Sequence, residues 1–340
     1  MSLAIETRSL TKRYVHQTGL ADMFARREAS ETVALNDVTL SISEGEVFGL
    51  LGPNGSGKTT FLKLLSTILA PSSGSAKIFG RDVTGHGRDI RSLVSLVTGE
   101  ERSLYWRLTG RQNLEFFGRV YALSGASLGK KVDELLELFD LSYAERVRVG
   151  EYSTGMKQRL AVARGLMSSP KLLFLDEPTR GLDPIAAHSL LEGVRERAVR
   201  HFANTVILTT HIMREIEQLC ERIAVLNRGE LAYEGSVKGL RASLERQERY
   251  SFSLDGLSES TLEGLQRLPG VTSCERSLDA SGSTELELVF TTDAVELDTI
   301  LRRLIEDGSR IRKCMKQEQS LEEMFRAIFD GTRRSNGGGA

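Results

Sequence analysis

Apolar residues of the first two thirds of the chain occur either in short continuous runs or at helical spacing. The continuous runs are typical of strands buried on both faces and cover residues 47–51, 93–97, 171–175, 205–210 and 223–226. Helical spacing follows or separates these runs at residues 61–65, 114–123, 132–141, 155–167, 186–199 and 212–219. Strands that alternate with helices predict an α/β fold with a mostly parallel sheet covered on both faces.

The segment before the first continuous run has a different pattern. Residues 3–14 and 33–42 alternate between apolar and polar side chains, which predicts two further strands. The polar segment 16–32 between them carries Leu20, Met23 and Phe24 on one possible helical face. It is either a surface excursion or a short amphipathic segment that contacts a partner or a membrane surface. A short strand at 76–80 and a brief helix at 89–91 complete the region.

The pattern changes after residue 235. The elements predicted there are strand, helix, strand, strand, helix and strand, at residues 250–254, 261–268, 271–277, 284–290, 295–305 and 311–316. This βαββαβ order is that of ferredoxin-like α+β domains. We therefore predict a first domain at 1–235, with a helical subdomain at about 103–168, and a second domain at 236–330 that closes with a helix at 321–329. The glycine-rich end, 331–340, is predicted to be disordered.

The most informative stretch lies between the strand 47–51 and the helix that follows it. This glycine-rich loop consists of Gly52, Pro53, Asn54, Gly55, Ser56, Gly57, Lys58, Thr59 and Thr60. Glycines allow backbone N–H groups to surround a phosphate, and the helix N-terminus adds partial positive charge. Lys58 is expected to reach the β- and γ-phosphates of a nucleoside triphosphate, and the Thr59 hydroxyl to bind Mg²⁺. The alternative is a turn that merely joins a strand to a helix.

Two carboxylates follow the apolar strand 171–175. The carboxyl ends of parallel strands form the ligand-binding edge of an open α/β sheet, so Asp176 and Glu177 are expected beside the phosphate loop. Asp176 is predicted to hold Mg²⁺ through water, and Glu177 to polarise the attacking water as general base. The alternative is a pair of solvated acids at a strand end. With the loop upstream, the pair predicts hydrolysis of a nucleoside triphosphate with Mg²⁺ as cofactor.

Composition narrows the possible partners and location. The 340 residues include 45 basic and 46 acidic side chains, so no whole-chain electrostatic footprint for nucleic acid exists and no such partner is predicted. The three cysteines, Cys220, Cys274 and Cys314, lack metal-binding spacing and fit reduced thiols in the cytosol. The N-terminus lacks the apolar core of a signal peptide. No apolar stretch approaches the roughly 20 residues of a spanning helix.

A further motif precedes the acidic pair, because residues 151–159 have the sequence EYSTGMKQR. With it, residues 1–235 resemble the ATP-binding subunits of ABC transporters, since five motifs occur in that family's order. They are the phosphate loop, YSTGMKQR, LLFLDEP, GLDP at 181–184 and a Thr-His pair at 210–211. The signature stretch departs from the family's commonest form, LSGGQ, in a way that resembles subunits of ABC-2-type exporters, and the departures are Tyr152, Thr154 and Met156.

The resemblance implies that two subunits share each ATP site. Ser153, Thr154 and Gly155, at the start of a helix, would bind the γ-phosphate of ATP held by the opposite subunit. Asp183 would lie across the same interface and help to organise the water and the phosphate loop. The expected assembly is a head-to-tail pair, as a homodimer, that encloses two ATP molecules.

The same resemblance implies roles in the ATP site for three further residues. His211 would stabilise transition-state charge at the γ-phosphate, although a lone histidine after a strand can also be structural. Tyr14 matches the aromatic residue that stacks on adenine, or else it is a packed strand-end side chain. Glu100 occupies the position of the Mg²⁺-ligating Gln in relatives, and an alignment could equally choose Glu101.

Two other regions resemble contact surfaces of the family. The segment that contains Tyr105, Trp106, Asn113, Phe116 and Phe117 binds the coupling helix of the membrane subunit in relatives. Core packing is the alternative for Phe116 and Phe117. The sequence QSLEEMF at 319–325 resembles the closing motif of the extra domain in drug-exporter-type subunits, which implies dimerisation or regulation.

The leading hypothesis is an ATP hydrolase that energises a separate integral-membrane permease of an ABC exporter. Such a subunit would be cytoplasmic and peripheral on the inner face of the cell membrane. A second hypothesis is a non-transport ABC-type ATPase that acts as a nucleotide-gated clamp or assembly factor. A third is a binding-only regulator without turnover. The substrate would be selected by the permease rather than by this chain.

Overall fold

The computed structural model describes residues 2–15, 31–99, 104–196, 205–245, 247–278, 284–291 and 294–317. The chain forms two compact units that divide between Val237 and Lys238. The assignment of an ATP-binding role and an accessory role to these units stays a prediction. Several predictions concern parts of the chain outside the described residues, namely the polar segment 16–30, Glu100, Glu101, the closing helix 321–329 and the tail 331–340.

The strands of the first unit form two sheets. In chain order they are β1 (Leu3–Val15), β2 (Glu31–Ser43), β3 (Val47–Leu51), β4 (Ser73–Ile78), β5 (Arg81–Asp82), β6 (Val94–Thr98), β7 (Leu172–Asp176), β8 (Thr205–Thr210), β9 (Arg222–Asn227) and β10 (Glu230–Ser236). One sheet has the order β10-β9-β3-β8-β7-β6, and the other has the order β2-β1-β4-β5. The predicted strands are confirmed with shifted ends, whereas the sequence did not predict the two-residue strand β5 or the antiparallel edge strand β10.

Parallel pairing builds the centre of the larger sheet, as predicted. β3 pairs in parallel with β8 and β9, and β7 pairs in parallel with β6 and β8. Every side chain of β7 and β8 is buried, which explains their continuous apolar sequences. Leu51 lies beside Thr210 in register, and Asp176 lies beside Thr209. The carboxyl ends of β3, β7 and β8 therefore meet at one edge of the sheet.

The helices of the first unit follow the predicted order with shifted ends. They are α1 (Lys58–Leu65), α2 (Gly87–Arg91), α3 (Gly110–Val120), α4 (Gly125–Leu138), α5 (Thr154–Gly165), α6 (Pro184–Val194) and α7 (Met213–Leu219). The start of α3 is earlier than predicted because Thr109 and Gln112 form a capping box. The start of α6 is earlier because Asp183 caps the helix and Pro184 occupies its first turn. α3, α4 and α5 contact one another as a helical cluster.

A common apolar core holds the larger sheet, the smaller sheet and α1 together. Phe48 of β3, Phe61 of α1 and Phe174 of β7 are completely buried in this core, together with Ile5 of β1. The burial of these side chains stabilises the position of α1 against the sheet, at about 1.5–3 kcal/mol for each large apolar side chain. The core therefore fixes the loop between β3 and α1.

The second unit has the predicted element order. Its elements are α8 (Val237–Glu245), β11 (Gln247–Asp255), α9 (Glu259–Gln266), β12 (Val271–Leu278), β13 (Thr284–Thr291), α10 (Leu297–Glu306) and β14 (Arg310–Gln317). The four strands form an antiparallel sheet in the order β12-β13-β11-β14. Its own core includes Phe252, Phe290 and Leu265. Among the described residues of the whole chain, we find no helix that is long and apolar enough to cross a membrane.

Candidate functional site

The loop between β3 and α1 leaves the start of α1 open. Gly57 has a φ of 107°, and a Cβ atom at this position would lie 2.5 Å from the carbonyl oxygen of Ala34. Only glycine fits there, and within the described part of the chain no side-chain cap bonds to the first N–H groups of α1. Ser56 Oγ is buried and makes no hydrogen bond within the described part of the chain. The loop thus presents uncommitted donors to an anion.

Lys58 is the buried cation of this loop. Its Nζ donates hydrogen bonds to the carbonyl oxygens of Gly52 and Pro53, at 2.7 and 3.1 Å. The same atom lies 3.5 Å from Glu177 Oε1. Burial lowers the pKa of Lys58, and the neighbouring carboxylates of Glu177 and Asp176 oppose this shift. A phosphate at this position would favour the charged form of the lysine in the same way.

The two carboxylates at the end of β7 have different environments. Asp176 is buried and accepts hydrogen bonds from Thr59 Oγ1 at 2.8 Å and from Thr209 Oγ1 at 2.6 Å. Glu177 has a φ of 48°, which is uncommon outside glycine, and its backbone N–H donates to Thr209 O at 3.0 Å. The strained backbone turns the chain out of the sheet at Glu177.

Glu177 lies between two groups that the sequence assigned to the same site. Its Oε1 is 3.5 Å from Lys58 Nζ and 3.5 Å from His211 Nδ1. His211 follows β8 directly, and about half of its side chain is exposed. The structure therefore brings the predicted lysine, glutamate and histidine together, although Lys58 starts α1 whereas Glu177 and His211 follow β7 and β8.

A cavity of about 530 Å³ opens over this edge of the sheet. Its wall consists of Ala34, Asn54, Gly55, Ser56, Gly57, Lys58, Thr59, Thr60, Lys63, Thr98, Gly99, Asp176, Glu177 and Arg180. Thr59 and Asp176 supply adjacent oxygen atoms, which is the donor chemistry that Mg²⁺ prefers. The wall thus fits a triphosphate with a divalent cation. Lys63 and Arg180 are cavity residues that the sequence did not indicate.

The signature residues lie elsewhere in the unit. Ser153 is the N-cap of α5, and its Oγ accepts a hydrogen bond from Met156 N at 3.2 Å. Neither Ser153, Thr154 nor Gly155 lines the phosphate cavity of the chain. A Cβ at Gly155 would lie 3.8 Å from Ala186 Cβ, so this helix start is next to the start of α6. The structure of one chain therefore does not bring the signature and the phosphate loop together.

Asp183 and Tyr14 also have local contacts. Asp183 Oδ1 accepts hydrogen bonds from the backbone N–H groups of Ile185 and Ala186, at 3.0 and 2.9 Å. Tyr14 is exposed at the end of β1, with Lys12 Nζ 5.4 Å from its ring centroid. Neither residue lines the cavity. The family roles of both residues stay predictions.

A glutamine that the sequence analysis overlooked links the signature helix to the acidic pair. Gln158 of α5 is buried, and its Nε2 donates to Gly99 O at 3.0 Å. Gly99 N in turn donates to Asp176 O at 2.8 Å. A Cβ at Gly99 would lie 2.3 Å from Glu177 O, so glycine is required for this approach. The letters KQR after the signature are the only local signal for this contact.

An apolar surface lies beside α3. Tyr105, Trp106 and Phe116 are 49%, 51% and 41% exposed, and the first and third rings meet edge to face at 4.8 Å. A groove of about 340 Å³ is lined by Tyr105, Trp106, Arg107, Leu108 and Phe116. We call these five residues the aromatic groove. Asn113 is buried instead and accepts a hydrogen bond from Tyr105 N at 2.8 Å, so it shapes the groove from below.

Comparison with known proteins gives one consistent result. Residues 35–180 match the family described as ABC transporter. The chain is 34% identical to the daunorubicin resistance ATP-binding protein DrrA3 of Streptomyces coeruleorubidus, over 91% of this chain and 95% of that protein. It is 40% identical to the Nod factor export ATP-binding protein I of Neorhizobium galegae, over 60% of this chain and 58% of that protein.

A solved structure supports the fold of the first unit. The dimeric post-hydrolysis state of the ATP-binding cassette MJ0796, bound to ADP and Pi, superposes with a TM-score of 0.58 and 26% identity. The match covers 68% of this chain and 98% of that one. The likeness therefore spans the complete cassette of the solved protein.

Proposed function

Because the chain belongs to the ABC transporter family of ATP-binding subunits, and is an ATPase whose ATP hydrolysis is coupled to transport, we propose how its own residues carry out that reaction. The loop 52–60 binds the triphosphate, with the N-terminus of α1 and Lys58 facing the β- and γ-phosphates. Ser56 Oγ, which is buried without a partner among the described residues, completes the donor set.

Glu177 is the proposed general base. Among the described residues it is the one carboxylate of the pair that accepts no hydrogen bond from a threonine hydroxyl, which favours Glu177 over Asp176 as the acceptor of a proton from water. Lys58 and His211 stabilise negative charge that develops on the transferred phosphoryl group. Thr59 and Asp176 would hold Mg²⁺, which neutralises phosphate charge when bound.

The signature residues are proposed to act on the ATP of a second copy of this chain. Ser153, Thr154 and Gly155 do not line the cavity of their own chain, yet they start a helix whose N-terminus favours phosphate. Asp183, which caps the neighbouring α6, would lie at the same interface. The dimeric cassette MJ0796 supports an assembly of this kind.

The aromatic groove is the proposed contact for a separate permease at the inner face of the membrane. Its exposed rings surround an apolar groove on the helical cluster, which is the composition of an interface hot spot. Relatives with similar identity are named for daunorubicin resistance and for Nod factor export. Such different cargoes suit a reaction in which the permease selects the substrate, and export is the direction proposed for this chain.

The second unit is proposed to be a ferredoxin-like accessory domain. Its βαββαβ order and its antiparallel sheet order β12-β13-β11-β14 support this topology. We place the ATP-binding domain at residues 1–235 and the accessory domain at 236–330. The accessory domain serves dimerisation or regulation.

The convergence of Lys58 and His211 on Glu177, with Lys58 and Glu177 in the cavity wall, carries the proposal. The test is MgATP turnover by the purified full chain beside Glu177→Gln. Turnover that falls at least about 100-fold in the variant, with ATP binding retained, supports Glu177 as the general base. Turnover of Glu177→Gln within threefold of the wild type would contradict the assignment. ATP binding without turnover by the wild type would instead favour the binding-only hypothesis.

A further inference from the structure

Glu215 is a buried carboxylate to which the reaction above gives no role. It lies in the first turn of α7 with 5% of its surface exposed. Thr179 Oγ1 donates to its Oε1, and Thr210 Oγ1 donates to its Oε2, both at 2.6 Å. The two threonines are also buried. Hydrogen bonds that involve a carboxylate are among the stronger ones in proteins, so this bridge is rigid.

The bridge joins the two segments that carry reacting groups. Thr179 lies two residues after Glu177, and Thr210 lies directly before His211. Thr210 Oγ1 also accepts a hydrogen bond from Ile212 N at 3.0 Å, which holds the chain on both sides of the histidine. Glu215 therefore ties the segment that leaves β7 to the segment that leaves β8.

The bridge holds the segments that follow β7 and β8 together beyond the last hydrogen bond between the two strands. Up to Glu177 the two segments are held by the sheet, since Glu177 N donates to Thr209 O at 3.0 Å. Beyond that bond the chain turns away at the strained φ of Glu177. The separation of 3.5 Å between Glu177 Oε1 and His211 Nδ1 then depends on how the two outgoing segments are fixed.

We propose that Glu215 is a positioning residue for ATP hydrolysis, which holds Glu177 and His211 at their working separation through Thr179 and Thr210. The inference rests on the roles proposed above for Glu177 and His211. A displacement of reacting groups by about 1 Å can lower a rate by about 100-fold, so a bridge that touches neither ATP nor water can still control turnover. A purely structural alternative is that Glu215 only anchors α7.

The two roles separate in steady-state kinetics of the purified full chain with MgATP. Glu215→Gln keeps the shape of the side chain but removes its charge and one acceptor. Thr179→Val removes one hydroxyl, and Thr179→Ser restores it. Glu217→Gln is the matched control, because it makes the same substitution at an exposed position of the same helix. Melting temperatures are recorded for all variants, and Glu177→Gln is assayed in parallel.

A positioning role predicts that Glu215→Gln and Thr179→Val lower kcat by about 10-fold or more, while KM for ATP changes less than about twofold. Thr179→Ser and Glu217→Gln are expected to keep kcat within about twofold of the wild type. The inference is overturned if folded Glu215→Gln and Thr179→Val keep the wild-type kcat. It is also overturned if their losses follow only a lower melting temperature or weaker ATP binding.

The result also distinguishes this inference from the proposed function. Full turnover by Glu177→Gln, or no turnover by the wild type, would contradict both the proposed reaction and the role of Glu215. Normal wild-type turnover that depends on Glu177 but not on Glu215 would contradict only the positioning role of Glu215.

Discussion

Two helix N-termini of the first unit are proposed to bind phosphate, and their local structures differ. Gly57, the N-cap of α1, supplies no side-chain cap, and residues of its loop line the cavity together with Lys58. α5 begins after Ser153, whose hydroxyl already caps Met156 N at 3.2 Å, and this end lies outside that cavity. The N–H groups of the first end have no side-chain cap among the described residues, whereas one N–H group of the second end is already capped by Ser153. The difference fits the proposal that the signature end binds the ATP of another subunit.

Removal of the cation at the first end should have the largest effect. Lys58→Ala is expected to weaken MgATP binding by about 2–5 kcal/mol, because it leaves buried phosphate charge unpaired. Isothermal titration calorimetry on the purified chain measures the affinity. Lys77→Ala, on the exposed side of β4, is the control. A change in affinity of less than about threefold for Lys58→Ala would contradict the proposed role of the loop.

A pair of glycine substitutions tests the contrast in backbone geometry. Gly57→Ala places a Cβ 2.5 Å from Ala34 O at a φ of 107°, so a loss of about 1–3 kcal/mol in the free energy of unfolding is expected. A Cβ at Gly155 would meet no atom closer than 3.8 Å, so Gly155→Ala should change the free energy of unfolding by no more than about 0.5 kcal/mol. Urea unfolding followed by circular dichroism compares the two. Equal losses of unfolding free energy in the two variants would contradict the proposed difference in backbone geometry between Gly57 and Gly155.

Substitutions of Ser153 at the start of α5 should lower turnover rather than ATP affinity. Ser153→Ala removes the cap and is expected to cost about 1 kcal/mol of stability, whereas Ser153→Gly costs a few tenths of that amount. Both variants lack the hydroxyl that would face the opposite subunit's phosphate. We expect the same fall in turnover for both, measured by phosphate release. A larger fall in turnover for Ser153→Ala than for Ser153→Gly, in line with their difference in stability, would show that only the helix cap is affected.

The smallest expected effect concerns pH. Burial lowers the pKa of Lys58 below its ordinary value of 10.5, so the free protein loses this charge earlier than an exposed lysine does. Bound phosphate favours the charged form, so MgATP affinity should fall as pH rises through the lowered pKa of Lys58. Affinity titrations from neutral pH towards 10.5 measure this fall. Lys58→Arg, which stays charged, should show a flatter profile.

The features that the sequence predicted are those encoded by neighbouring residues. Continuous apolar runs identified the parallel strands, and the spacing of Gly57, Lys58 and Thr59 identified the loop. The start of α3 was also encoded locally, in the pair Thr109 and Gln112, but helical periodicity alone placed it too late. Local signals of this kind fix secondary structure and motif chemistry.

The remaining features depend on contacts between distant segments. The bond from Thr209 to Asp176, the bond from Gln158 to Gly99 and the bridge at Glu215 each join residues that no periodicity connects. β10 is a polar edge strand, and it forms because β9 offers an unpaired edge rather than because of its own pattern. Such elements follow from the fold and are visible only once the sheet order is known.

The central claim is that the signature of one subunit completes the phosphate cavity of another, and mixing two inactive variants tests it most directly. Lys58→Ala disables the cavity. Gly155→Asp keeps the helix start, which favours an acid, but repels the opposite phosphate. Each variant alone should lack turnover, and the mixture should regain it, because a mixed dimer contains one intact composite site. If both variants are inactive and their mixture stays inactive although mixed dimers form, the account is contradicted.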